Sequence, residues 1–286
     1  VNGYFFWEKI KERGLVPQDR LHINVYDDYM RVDLGVSLSP TRLHFSNVTQ
    51  REKLSNEADR LTLGNNLQVI VTWRDIDKKQ VYHVTYLNNK SVIRRDYFGQ
   101  YGQLAITKYY SSEEKIVQED LFEVTGVRTL TVNYDDEVKI KNILKYASDG
   151  IRVAYIFQNE DQLYLHWLKE RQFSTGDLFL IDKNRVWGPA LSEFRKCKNI
   201  VLVSTLHSSH LRNSYTPPLP NNLNFNYAPI LQNKWMLDLL VILTEEQRKD
   251  IESHFKVNSC IAVIPHAKDP TPPIKNYQQR DQNMIV

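Results

Sequence analysis

Two short polar runs concentrate side chains that suit acid–base chemistry. Asp182-Lys183-Asn184-Arg185 follows the apolar run DLFLI at 177–181, and Thr205-Leu206-His207-Ser208-Ser209-His210 follows NIVLVS at 199–204. If both apolar runs are parallel strands, these residues stand at strand carboxyl ends, where α/β sheets build their sites. A histidine at such an end titrates near neutral pH and can donate or accept a proton. His207 is therefore the leading candidate, with His210 second. His266, after CIAVI and Pro265, is placed to line the same cleft. Each has a structural reading too: single histidines are commonly structural, and Asp182 fits a helix N-cap as well as it fits orienting a hydroxyl or a basic partner. Thr244-Glu245-Glu246-Gln247 is satisfied as a helix start, with Thr244 as cap, Gln247 as capping-box partner and the acids favoured by the helix dipole.

Positioning those residues requires a parallel sheet. Runs at 153–157, 177–181, 199–204, 239–243 and 260–264 read as strands buried on both faces, separated by helix-like segments at 161–171, 189–196, 223–233 and 245–254. That alternation predicts a doubly wound α/β sheet. Between 66 and 134 the period is two instead: Leu67, Val69, Val71 and Trp73 share a face, and turn signals recur at roughly ten-residue spacing without helices. This predicts an antiparallel meander. Further upstream, residues 4–13 read as an amphipathic helix, 21–36 as a strand and turn, and 46–63 as helix-compatible. The expected organisation is a lead-in over 1–65, the meander over 66–135, an α/β domain over 136–268, and a proline-rich linker with the start of a further domain over 269–286.

Composition narrows the function. The 286 residues are 42% hydrophobic and 25% charged, and 37 Lys and Arg nearly balance 34 Asp and Glu for a net charge of +3. No basic field directs the chain to nucleic acid. Cys197 and Cys260 stand alone, without a C-x-x-C pair or a Cys/His cluster, so no disulfide framework or zinc site is implied. No D-x-D pair sits in a metal-binding context, so no metal is implied either. The cysteine usage, the lack of an apolar run of about 20 residues and the lack of a secretory leader suit the cytoplasm, with peripheral attachment to the inner face of a membrane still open. The chain begins at Val1 and ends in Met284-Ile285-Val286, an apolar run that reads as a cut strand.

Four segments in succession, LIDKNRVWGPAL, VSTLHSSH, NYAPILQNKWMLDLLVILTEEQRKDI and IAVIPHAKDP, resemble the N-terminal domain of family-4-type retaining glycosyltransferases. The resemblance is greatest to the bacterial enzymes that glycosylate polyol-phosphate teichoic acids, and those enzymes and the related adhesin O-GlcNAc transferases of accessory Sec systems carry a β-meander in this domain. RRDYF at 94–98 and YGQLAITKYY at 101–110 resemble that insert more loosely. The resemblance implies a Rossmann-like acceptor half of a GT-B fold with an inserted antiparallel β-meander. It also implies transfer of glucose or GlcNAc from UDP-glucose or UDP-GlcNAc, without any other cofactor, to a teichoic acid polymer. The alternatives are a serine-rich adhesin as acceptor, or a non-catalytic acceptor-binding or oligomerisation subunit. In similar enzymes the histidine at the position of His207 contacts the reacting sugar or acceptor; Asp182, Arg185, His210 and His266 would then bind acceptor, with Lys183 and Arg185 facing its phosphates. The aromatic-rich meander, with Arg94, Arg95 and Lys108, suits a polymer, a second copy or a partner subunit. The family's Gly-rich loop and the paired-glutamate motif of its donor domain are not found in this sequence, so the chain is expected to be an acceptor-side fragment that is inactive alone.

Overall fold

A computed structural model describes residues 24–31, 43–64, 67–99, 102–213 and 220–265. The expected helix at 4–13, the linker at 269–286 and His266 lie outside the described residues. The chain divides into two compact units, Val1–Trp167 and Leu168–Val286.

In the first unit the period-two pattern forms a ten-stranded antiparallel sheet whose strand order is the sequence order. The strands are β1 (Val48–Lys53), β2 (Ala58–Leu63), β3 (Leu67–Trp73), β4 (Val81–Asn88), β5 (Ser91–Phe98), β6 (Leu104–Tyr110), β7 (Ile116–Phe122), β8 (Arg128–Tyr134), β9 (Ile140–Tyr146) and β10 (Val153–Phe157). Leu61, Val69, Val71, Val81, Val84 and Phe98 form one buried cluster across β2 to β5. From β6 to β9 the strands begin at Leu104, Ile116, Arg128 and Ile140, a constant twelve-residue step. Each five-residue turn between them closes in the same way: the Glu114, Gly126 and Val138 N–H groups donate to Ser111, Glu123 and Asp135 carbonyls at 2.9–3.0 Å. The same three residues are left-handed, with φ of 59°, 86° and 61°, as expected of a hairpin turn whose last residue forms a bulge.

The step also repeats a polar pattern. Arg94 and Thr107 hold the buried Asp96 carboxylate, each at 2.8 Å; 24 residues later Gln118 at 2.9 Å and Thr131 at 2.5 Å hold Asp120. In neighbouring register, Lys108 pairs with the buried Glu119 at 2.6 Å, and the Tyr134 hydroxyl donates to it at 3.1 Å. A charge this far from water needs these partners, because removing one leaves the other uncompensated.

Helix α1 (Val25–Tyr29) is capped by Asn24, whose side chain accepts from the Tyr26 N–H at 2.9 Å. It is joined to α2 (Glu160–Glu170) by the Tyr26 hydroxyl on Glu160 at 2.7 Å and by the Trp167 indole N–H on Asp28 at 2.8 Å.

Several expectations are corrected here. Residues 25–29 are helix rather than strand, because the Asn24 cap and two first-turn acids outweigh the β-branched content. Residues 48–63 are a strand pair rather than helix; inward Asp59, held by Arg51 and Lys78 at 2.8 and 2.7 Å, hides the alternation. Residues 153–157 are the antiparallel edge strand β10 rather than a doubly buried parallel strand. An apolar run does not by itself report which sheet it joins. The antiparallel sheet therefore runs from Val48 to Phe157, beyond the span of 66–135 expected for the meander.

The second unit is a four-stranded parallel sheet in the order β11 (Leu178–Ile181), β12 (Val201–Thr205), β13 (Leu239–Ile242), β14 (Cys260–Val263). Between the strands lie α3 (Asn184–Cys197), α4 (Ala228–Leu231) and α5 (Glu245–His254). Its core comprises Ile181, Leu202, Leu240 and Ile242 of the strands with Leu191, Phe194 and Ile251 of the helices. The order never reverses among the described strands, so the expected double winding is not seen there. Leu178 and Leu180 of the edge strand β11 are 59% and 72% exposed, whereas consecutive residues of the central strands, Leu202 and Val203 of β12 and Leu240 and Val241 of β13, are buried. Among the described residues no helix is long and apolar enough to cross a membrane.

Candidate functional site

The site is built at the carboxyl ends of β11 and β12. Parallel register sets Ile181 beside Ser204, so the residues that follow each strand emerge side by side. Asn184, in the first turn of α3, is buried and joins the two ends: its side-chain amide donates to the Thr205 carbonyl at 3.1 Å and its oxygen accepts from the Ser204 hydroxyl. The next residue, Leu206, is fully buried and its N–H donates to the Val241 carbonyl of β13 at 2.9 Å. His207 then turns outward. Its Nε2 lies 2.5 Å from Asp182 Oδ1, with the imidazole 43% and the carboxylate 75% exposed.

This contact decides between the two readings of Asp182. The N-cap position of α3 is Lys183, without a side-chain cap bond, and Asp182 faces the histidine instead. A carboxylate beside Nε2 favours a proton on that nitrogen.

Two cavities flank the pair. One, of about 280 Å³, is lined by Asp182, Lys183, Arg185, Asn226 and Tyr227 among others. Arg185 stacks its guanidinium over the Phe225 ring at 5.2 Å, and no ion pair to Lys183 or Arg185 occurs among the described residues. The other cavity, of about 480 Å³, is lined by Ser208, Ser209, His210, Thr244, Gln247 and Asp250 among others. The hydrogen bond between the Ser208 and Tyr227 hydroxyls, 3.1 Å long, stands between them. Asp182 and Arg185 thus line one cavity, which His207 adjoins through Asp182, whereas His210 belongs to the second cavity.

His210 is buried, with Nε2 at 3.0 Å from Asp250, which also meets His254 Nδ1 at 3.2 Å. Burial lowers its pKa, and the Asp250 charge opposes that shift. Its surroundings are those of a packed histidine beside a carboxylate, close enough for an ion pair but without hydrogen-bond geometry. His266 lies outside the described residues. Tyr227, Gln247, Asp250 and Phe225 were not singled out as site residues from the sequence. Only the i,i+4 spacing of Asp250 and His254 on α5 offered a local signal, and the others reach the site from distant segments. Among the described residues no cluster suited to a metal ion occurs.

No protein-family profile matches the chain, and no curated protein matches it significantly. Solved structures do. The crystal structure of TarM superposes with a TM-score of 0.68 at 14% identity, covering 92% of this chain and 51% of that one. The pneumococcal O-GlcNAc transferase GtfA, solved with UDP and GlcNAc, gives a TM-score of 0.56 at 16% identity, covering 85% and 48%. This chain shares their fold. A third match is the Glycosylation Associate Protein complex from Streptococcus agalactiae, with a TM-score of 0.57 at 11% identity, covering 85% and 46%. The likeness falls on the group of proteins that the sequence resemblance picks out. The chain spans about half the length of these solved chains.

Proposed function

We propose that this chain is the Rossmann-like acceptor half of a retaining GT-B glycosyltransferase, which moves glucose or GlcNAc from a UDP-sugar to a polymeric acceptor, a polyol-phosphate teichoic acid. The observation that carries the reading is the Asp182–His207 pair at the carboxyl rim of the parallel sheet, beside a cavity lined by Lys183 and Arg185, which form no ion pair among the described residues. The fold shared with TarM and with a UDP- and GlcNAc-bound transferase supports it.

The chemistry follows from the pair. Held beside Asp182, the imidazole can take up part of the proton of an acceptor hydroxyl as the oxygen attacks. The carboxylate stabilises the positive charge that the ring acquires. Front-face attack, with leaving group and nucleophile on one side of the sugar, needs no covalent enzyme intermediate, so His207 steers and stabilises. Lys183 and Arg185 supply charge-assisted donors to acceptor phosphates.

The test uses the protein in its natural length with a panel of UDP-sugars and purified teichoic acid. Transfer or hydrolysis of one donor supports the reading; inertness toward every UDP-sugar sinks it. A second reading, a non-catalytic subunit that binds acceptor or partner, draws on the Glycosylation Associate Protein match. Polymer binding without turnover in the same assay identifies it.

A further inference from the structure

His207 is an exposed side chain, less than half of it in contact with solvent, yet the backbone on both sides of it is pinned. On one side Leu206 is fully buried and its N–H is tied to Val241. On the other, Ser208 is held twice. Its hydroxyl bonds the hydroxyl of Tyr227, a residue only 7% exposed, at 3.1 Å. Its carbonyl accepts from the Gln247 side-chain N–H at 3.1 Å. Tyr227 is in turn anchored by its N–H on the Asn224 carbonyl at 2.9 Å. Gln247 is anchored by its side-chain oxygen, which accepts from the Leu243 N–H at 3.2 Å, and by its own N–H on Thr244 Oγ1 at 3.1 Å. Both clamps therefore start from fixed elements, the turn before α4 and the first turn of α5, and converge on one residue.

We propose that Tyr227 and Gln247 are positioning residues that grip Ser208 from opposite sides and so hold the His207 imidazole against Asp182. The proposal rests on His207 being the group that meets the acceptor. A side chain that must act at hydrogen-bond range loses rate steeply when displaced: about 1 Å can cost on the order of a hundredfold, and a site with loose supports is present but slow. Thr244 and Gln247 satisfy the helix start, so their stabilising role is complete without the Ser208 bond. The bond to Ser208 is an additional use of the same side chain.

The variants separate the two uses. Gln247→Glu keeps an oxygen for the Leu243 N–H and the cap at Thr244 but removes the donor to Ser208. Tyr227→Phe keeps the packed ring, adds no charge and removes the hydroxyl. In the natural-length protein each is expected to lower kcat about tenfold, with KM for donor and acceptor changed less than about twofold and Tm within a few degrees. The double variant should fall well short of the product of the two effects, since both act through Ser208. In the 286-residue chain, the His207 imidazole resonance, assigned with His207→Gln, should move in both variants while that of His254 stays. Unchanged kcat together with an unmoved His207 resonance overturns the proposal. So does a raised KM at constant kcat, which would make Tyr227 a wall of the 280 Å³ cavity. If the natural-length protein transfers no sugar, the resonance alone decides the clamp, so the two readings fail separately.

Discussion

At the scale of single residues, the Asp182–His207 contact joins two side chains that are both well exposed, so their removal should affect rate and not folding. His207→Ala in the natural-length protein is expected to lower kcat by about 10²- to 10⁴-fold, the range of a lost acid–base group, with the melting temperature within a few degrees. Asp182→Asn should lower it less, because the ring remains. A loss of many degrees in Tm would instead make the pair structural. His83 tests a different property. It lies half-buried among Tyr82, Tyr97 and Arg95, and burial first, then the Arg95 charge, pushes its pKa down to about 4 from an ordinary value near 6.5. Its neutral form is the one the fold accepts, so the stability it contributes is present above pH 6.5 and is lost as pH falls through the window toward 4. Urea melts of the wild type and His83→Gln should therefore differ in slope across that window, and identical curves would refute the shift. The placement of Asp182 and His207 at strand carboxyl ends was legible because each follows an apolar run within three residues. Tyr227 and Asp250 were illegible for the opposite reason: their contacts with Ser208 and His210 span 19 and 40 positions of chain, and nothing local encodes them.

At the scale of elements, the meander was readable wherever alternation was clean, as in β3 with Val69 and Val71 inward. It was missed where a charge took an inward position, as Asp59 does in β2. The twelve-residue step was masked in the sequence by turns of unrelated composition, SSEEK, EVTGV and DDEVK, that adopt one geometry. One of them is poorly matched to it. Val138 occupies the left-handed position that Gly126 fills in the preceding turn, and a β-branched residue there is strained by roughly 1–3 kcal/mol. Glycine relieves that strain and adds unfolded-state entropy of roughly 0.5–1 kcal/mol against itself, so Val138→Gly should raise stability by about 1 kcal/mol in chemical denaturation, and a loss would contradict the turn geometry. Helix α3 gives the converse case. A Cβ at Gly188 would lie 2.5 Å from the Trp235 ring, so Gly188→Ala should cost about 1–3 kcal/mol through overpacking, although alanine is the better helix former. Paired with Trp235→Leu, the same substitution should become neutral or stabilising.

At the scale of the whole molecule, the solved chains of the same fold are about twice as long as this one. Transfer requires the reacting groups to be brought together, an advantage of about 7–11 kcal/mol in the barrier. On the proposal that this chain is an acceptor half, the 286 residues purified alone are expected to bind teichoic acid weakly and to transfer no sugar above the no-enzyme blank; measurable transfer would overturn that proposal. The broad order, an antiparallel sheet followed by a parallel one, was legible from the change of pattern along the chain, but the boundary was not: the antiparallel sheet runs on to Phe157, past the change expected near 136. The singly wound order was not legible, because the sequence records which segments are strands and not the side on which each new strand is added. The two sheets differ in a further way that concerns time. In the first unit partner strands are near neighbours, with Tyr109 opposite Gln118, so each pairing closes a loop of a few residues. In the second, Leu178 meets Val201 and Val203 meets Leu239, across chain segments several times longer. Loop closure must precede the contacts that reward it, so local topologies fold sooner. Refolding from urea should show the antiparallel unit, reported by Trp73, gaining its native signal before the parallel unit, reported by Trp235. During synthesis the same order would let the first sheet zip up hairpin by hairpin as it leaves the ribosome, ahead of the strands that carry His207.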